Sequence, residues 1–218
     1  MISFLRRYEG VIFDLDGTLA DSMHVWDSIC RDWLESVGVP PREGLAEAIS
    51  LMTLPQSAGY IAREYTPDRS PAQILEDWDK MVTCRYEHDV ALKPGAGELV
   101  RTLAGEGMPM AIATSCAPSV CEGLLRRCGL WDCFTAIVYS GDVGRDKTFP
   151  DIYLACGERL GVPPRRCVVL EDLYEASRGV RAAGMGLVAV YDTSCKHWEA
   201  LRGEADLAVM GFPRQENG

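Results

Sequence analysis

Five apolar runs in this 218-residue chain are nearly continuous rather than alternating, and this constrains its fold more than any other feature. They are VIFDL (11–15), MPMAIAT (108–114), TAIVY (135–139), CVVLED (167–172) and GLVAVY (186–191), with a shorter ADLAVM at 205–210. A strand that is apolar along its whole length is buried on both faces, as happens when helices cover a parallel sheet. Each of the first four runs is followed by a stretch long enough for a helix, which completes a βα alternation. The expected class is α/β, with a parallel sheet core and helices on both faces. Ligands of such sheets bind beyond the carboxyl ends of the strands. The polar residues of interest here all stand at strand ends.

Residues 22–92 interrupt the alternation and read as helix throughout. Ser22 can cap a helix whose Trp26, Ile29, Trp33 and Val37 form one apolar stripe, closed by Gly38 and Pro40. Ser70-Pro71-Ala72-Gln73 has the form of a capping box, and Ile74, Trp78, Met81 and Arg85 with its neighbour Tyr86 follow on one face. One or two shorter helices are expected over 43–65, around Pro55. Lys93-Pro94-Gly95 marks the return to the α/β pattern. The expected organisation is therefore a core of 1–21 and 93–218 with an inserted helical domain at 22–92. The tail GFPRQENG is expected to fray.

Composition narrows the setting. The net charge of −10 disfavours nucleic acid and anionic membrane as partners. No apolar run approaches the roughly 18–20 residues a membrane span needs, and MISFLRR has the wrong order and length for a signal peptide. The nine cysteines are scattered without a CxxC pair, and three histidines are too few to complete zinc sites around them. They read as small apolar residues of a reducing, cytoplasmic setting.

The first strand runs into Asp14-Leu15-Asp16-Gly17-Thr18. Two carboxylates at a strand's carboxyl end repel one another in one crevice, so a proton or a cation must compensate. Gly17 permits close approach of backbone N–H groups to an anion; two surface aspartates in a turn are the plainer reading. Glu171-Asp172 ends another strand, and Thr114 a third. If these acids meet, a phosphate dianion approaching them faces about 4 kcal/mol per 4 Å repulsion at an effective dielectric near 20. One lysine would not offset that; a divalent cation would.

The stretch VIFDLDGTLADS resembles the first motif of the haloacid dehalogenase superfamily. The rest follows in order: Thr114 ending MAIAT, Lys147 before PDIYL, and Glu171-Asp172 ending VVLED. The helical insertion after the first motif resembles the helical-cap subfamily of phosphoglycolate phosphatases and β-phosphoglucomutases. The resemblance implies a Rossmann-like core and a cap domain. It implies Asp14 as nucleophile, Asp16 as general acid and base, and Thr114 and Lys147 as further catalytic groups. It assigns Mg²⁺ to Asp14, Asp16 (through its carbonyl) and Asp172, with Glu171 acting through water. It assigns phosphate binding to Asp14, Gly17, Thr18, Thr114, Ser115 and Lys147. Lys147 is one of only four lysines among 22 basic residues. Thr148, Leu173 and Ala176 depart from the family pattern, which puts loop geometry and the outer metal contacts in question.

The implied reaction is Mg²⁺-dependent hydrolysis of a small phosphorylated metabolite through an aspartyl phosphate. The alternatives are a β-phosphoglucomutase-like sugar-phosphate mutase and a catalytically silent binding protein on the same fold. Mutases of this type carry a histidine where this chain has Trp26, and His24 lies two residues away. Met23, His24, Trp26 and Asp27 open the cap and are the candidate substrate contacts. The chain is expected to be a monomer or a weak homodimer.

Overall fold

In the computed structural model of the protein, which describes residues 1–49 and 52–213, the chain begins with one helical turn, α1 (Ile2–Leu5), and enters strand β1 (Gly10–Phe13). A two-residue strand, β2 (Ala20–Asp21), leads to helices α2 (Met23–Ser36), α3 (Leu45–Ile49), α4 (Leu54–Glu64) and α5 (Pro71–His88). After β3 (Ala91–Leu92) come α6 (Ala96–Gly105), β4 (Met110–Thr114), α7 (Pro118–Arg127), β5 (Ala136–Tyr139) and α8 (Ser140–Val143). The chain continues through α9 (Asp151–Leu160), β6 (Cys167–Glu171), α10 (Tyr174–Ala182), β7 (Gly186–Val190), α11 (Trp198–Glu204) and β8 (Leu207–Val209).

Six strands form one parallel sheet in the order β5-β4-β1-β6-β7-β8. Every residue of β1, β4, β6 and β7 is buried, as continuous apolar runs require of strands covered on both faces. The edge strands β5 and β8 are only partly buried. Helices lie on both faces, so the α/β expectation holds. Ile12, Ala111, Val138, Tyr153, Val169 and Leu187 belong to one apolar core cluster. From β1 the chain goes to β4 on one side and later to β6 on the other. That reversal opens a crevice at the carboxyl end of β1.

The chain divides into two compact units, 1–21 with 90–218, and 22–89. The second break falls at 89–90 rather than at the expected 92–93. Ala91 and Leu92 pair antiparallel with Asp21 and Ala20, which fastens them to the first unit. The Lys93 amide extends this pairing by donating to the Leu19 carbonyl at 2.8 Å.

Within the helical unit, both Thr53–Gln56 and Ser70–Gln73 form capping boxes, with proline in the first turn of each helix. Ser22 stands at the N-cap of α2, but its side chain makes no capping hydrogen bond. The expected stripe of α2 is rotated: Val25, Ile29, Cys30, Trp33 and Leu34 are buried, whereas Trp26 is half-buried and Val37 caps the helix. Helix α5 buries Ile74, Trp78, Val82 and Tyr86, at steps of four, in place of Met81 and Arg85. Trp33 and Trp78 pack edge to face, with ring centroids 6.4 Å apart. Among the described residues, no helix is long and apolar enough to cross a membrane. Five of the cysteines are buried (Cys30, Cys116, Cys121, Cys156 and Cys167), as small apolar residues would be. The tail is not frayed at its start. Phe212 is buried, and its carbonyl stands 2.9 Å from where a Gly95 Cβ would lie. Residues 214–218 lie outside the described residues.

Lys93 also donates to the Tyr191 carbonyl at 2.8 Å and pairs with Asp192 at 2.8 Å, and both side chains are largely buried. Burial alone would raise the Asp192 carboxyl, but bonds from Lys93 and Ser194 hold it below its ordinary 3.8. A depressed carboxyl adds stability that is complete above the unfolded value and lost as pH falls through the folded one. Asp192→Asn is therefore expected to cost about 2 kcal/mol at pH 7. In urea denaturation the gap to wild type should close below pH 4; a gap that persists there would rule out the ionic account.

Candidate active site

Strands β1 and β6 are in register with Phe13 opposite Leu170, so the next residues, Asp14 and Glu171, emerge side by side at the carboxyl ends. The Asp14 amide donates to the Leu170 carbonyl at 3.0 Å, which fixes its backbone. Asp172 follows Glu171. One carboxylate oxygen from each of Asp14, Glu171 and Asp172 lies within 4.8 Å of the others, and all three residues are buried.

Lys147 arrives from the loop between α8 and α9. Its ammonium contacts Asp14 Oδ1 and donates to Glu171 Oε1 at 2.5 Å. Burial is the largest influence on Lys147 and lowers its pKa, but the charges of Asp14 and Glu171 outweigh it and raise the net value. Burial pushes the Glu171 carboxyl up to about 7; Asp14 adds to this and Lys147 opposes it. Asp172 is raised well above the carboxylate range, first by burial and then by Asp14 and Glu171. Two carboxylates thus hold one ammonium and a third stands close by, so burial and mutual repulsion raise both Glu171 and Asp172. This hard-oxygen donor set, with its excess of negative charge, fits a divalent cation such as Mg²⁺.

The turn after β1 closes on itself, with Gly17 N bonded to Ala20 O at 3.0 Å and Ala20 N to Leu15 O at 2.8 Å. Gly17 has φ +79°, and a Cβ there would lie 2.3 Å from Asp172 Oδ2. Thr18 is fully buried and donates its hydroxyl to Asp172 Oδ1 at 3.0 Å, so it orients the acid. The half-buried Asp16 bridges to Ala20. Cys116, in the loop after β4, is buried, and burial pushes its thiol up. Thr114 ends β4 and accepts from the Cys116 amide at 3.0 Å, which leaves its hydroxyl hydrogen to donate. Ser115 is exposed and shares a hydrogen bond with Ser140 at 2.9 Å.

The structure thus brings Asp14, Gly17, Thr18, Lys147, Glu171 and Asp172 into one cluster. Met23, His24, Trp26 and Asp27 belong to the helical unit. There His24 and Asp27 are exposed, Met23 is half-buried, and the Trp26 indole donates to the Tyr86 hydroxyl at 2.9 Å. The three departures from the family pattern have local explanations or consequences. Thr148 supplies an amide to Asp146 Oδ1 at 2.8 Å, a bond that proline could not make. Ala176 is buried in α10, and Leu173 is exposed beside the cluster.

Sequence reading missed two residues. Tyr153, fully buried on α9, donates to Glu171 Oε1 at 3.1 Å; burial, then Glu171, holds its phenol well above the usual value. At Gly179 on α10, a Cβ would lie 2.2 Å from the Lys147 carbonyl and 2.6 Å from that of Phe149. An apolar-looking tyrosine and a mid-helix glycine carry no signal in one sequence beyond the oddity of glycine in a helix.

The sequence model of the haloacid dehalogenase-like hydrolases matches residues 11–190. The chain belongs to this family. Fructose-1-phosphate phosphatase YqaB of Escherichia coli is 32% identical over 187 residues, 85% of this chain and 97% of that protein. Hexitol phosphatase A of the same organism is 30% identical, over 84% of this chain and 83% of its own length. The structure of CbbY from Rhodobacter sphaeroides in complex with phosphate is 26% identical. It covers 94% of this chain and 95% of its own, with a TM-score of 0.77. The expected membership of the superfamily is therefore correct.

Gly179→Ala should push α10 off the Lys147 loop and cost roughly 1–3 kcal/mol, as overpacking does. Urea denaturation would measure the loss. An unchanged midpoint would mean that this close approach is not needed.

Proposed function

We propose that this hydrolase cleaves small phosphomonoesters with Mg²⁺ through an aspartyl phosphate on Asp14. The observation that carries the reading is the contact of Lys147 with Asp14 inside a buried, over-acidic cluster at the sheet's switch point. A carboxylate serves well as a nucleophile toward phosphorus once the negative charge around it is balanced.

Asp14 attacks phosphorus with one carboxylate oxygen, and the ester oxygen leaves with the bonding pair. Asp16 gives that oxygen its proton, then takes one from the water that hydrolyses the aspartyl phosphate. Lys147 offers its ammonium to the phosphate oxygens while holding Asp14 in place. Thr114, Ser115 and the amides of the Gly17–Thr18 turn supply further donors, and the Thr18 hydroxyl acts through Asp172. Asp14, Asp172 and the Asp16 carbonyl would hold Mg²⁺. The ion supplies neutralising charge and Lewis-acid polarisation of the phosphoryl group.

The helical unit is the proposed cap that selects the substrate, with Met23, His24, Trp26 and Asp27 as candidate contacts. Phosphorylated sugars and sugar alcohols are the substrate class to test first, because the fructose-1-phosphate and hexitol phosphatases are similar along most of the chain. Tryptophan at position 26, where related mutases carry histidine, favours hydrolysis over mutase chemistry. Its indole N–H is already engaged with Tyr86.

Phosphate release from fructose 1-phosphate, hexitol phosphates, phosphoglycolate and nucleoside monophosphates is expected to depend on Mg²⁺ and to stop with a chelator. Asp14→Asn should lower kcat by more than about 1,000-fold. Turnover that survives this change would exclude the covalent route, and glucose-phosphate isomerisation without phosphate release would favour the mutase.

A further inference from the structure

Glu171 has no open position left. Its Oε1 accepts from Lys147 at 2.5 Å and from Tyr153 at 3.1 Å. Its Oε2 accepts from the amides of Asp172 at 3.2 Å and Leu173 at 3.3 Å. A carboxylate offers about four lone-pair directions, and this chain fills all of them. Asp172 is different. Its Oδ1 takes one bond from Thr18, while Oδ2 packs over Gly17 in the space that a side chain there would fill.

We propose that Tyr153 is a positioning residue of the reaction: its phenol completes the shell of Glu171, so that Glu171 fixes the Lys147 ammonium against Asp14 and leaves the cation to Asp14 and Asp172. This rests on the phosphatase reading above, and it replaces the expectation that Glu171 reaches the metal through water. The packing supports it. Tyr153 follows Lys147 by six residues and is fully buried in the core. One edge of its ring, Cε2, is 2.9 Å from where a Gly179 Cβ would lie, beside the Lys147 carbonyl at 2.2 Å. The same glycine therefore lets α10 lie against both the phenol-bearing ring and the loop that carries the lysine. A lysine with several rotatable bonds would otherwise sample many positions, and a shared, fully occupied acceptor confines it. A bond to a charged group is among the stronger ones, so its loss should be felt at the lysine.

Tyr153→Phe removes the hydroxyl and keeps the ring. It is expected to lower kcat about tenfold and to change KM less than twofold, as when an interaction serves only the transition state. A second readout needs neither metal nor substrate. Lys147 is one of four lysines, so its ammonium signal in ¹⁵N NMR of the metal-free protein can be assigned by its absence in Lys147→Met. That signal should be slow to exchange in the wild type and several-fold faster in Tyr153→Phe. Glu171→Gln, which keeps the side chain's shape, should speed it likewise and stands in should Tyr153→Phe fail to fold. An unchanged Lys147 signal in these variants, or a normal kcat in Tyr153→Phe with only Tyr153→Leu impaired, would overturn the proposal. A wild-type protein without turnover would count against the phosphatase reading alone.

Discussion

A single ammonium shared between buried carboxylates organises this protein's candidate site. Lys147 touches Asp14 and Glu171 at once, with Asp172 close by, so the cluster carries more negative than positive charge in a place nearly closed to water. Such a group of acids is costly to bury unless it is paired and hydrogen-bonded. The chain meets that cost from several sides. Thr18 bonds Asp172, Tyr153 and two backbone amides bond Glu171, and the lysine joins two acids. The remaining imbalance is what a divalent cation would neutralise.

The fold makes the meeting possible by topology more than by contact strength. Neighbouring parallel strands β1 and β6 deliver Asp14 and Glu171-Asp172 to one end of the sheet from positions more than 150 residues apart. Two glycines then allow the close approaches. Gly17 makes room for the Asp172 carboxylate, and Gly179 for the Lys147 carbonyl. The Asp146–Thr148 bond closes the loop that carries the lysine, although the residues there differ from the family's usual sequence.

Much of this was legible in the chain itself. Continuous apolar runs mark strands buried on both faces; β4, β6 and β7 lie inside them, and β1 starts one residue before its run. The Ser70–Gln73 capping box was readable because its signal is local. The rotation of the α2 stripe to Val25 and Leu34 was not, because tryptophan's size suggests burial while its indole N–H seeks a partner, here Tyr86. The β2–β3 pair is too short to carry a period. Thr18 could be expected at a phosphate, but that its hydroxyl turns to Asp172 depends on a residue 154 positions away. Tyr153 and Gly179 act through long-range packing, which composition and spacing do not encode.

The central claim is that this cluster is built around one divalent cation held by Asp14 and Asp172. Calorimetric titration of Mg²⁺ into metal-free protein tests it most directly. The account predicts a single site per chain that is lost in Asp172→Asn. An absence of binding, or binding that Asp172→Asn leaves intact, would contradict it.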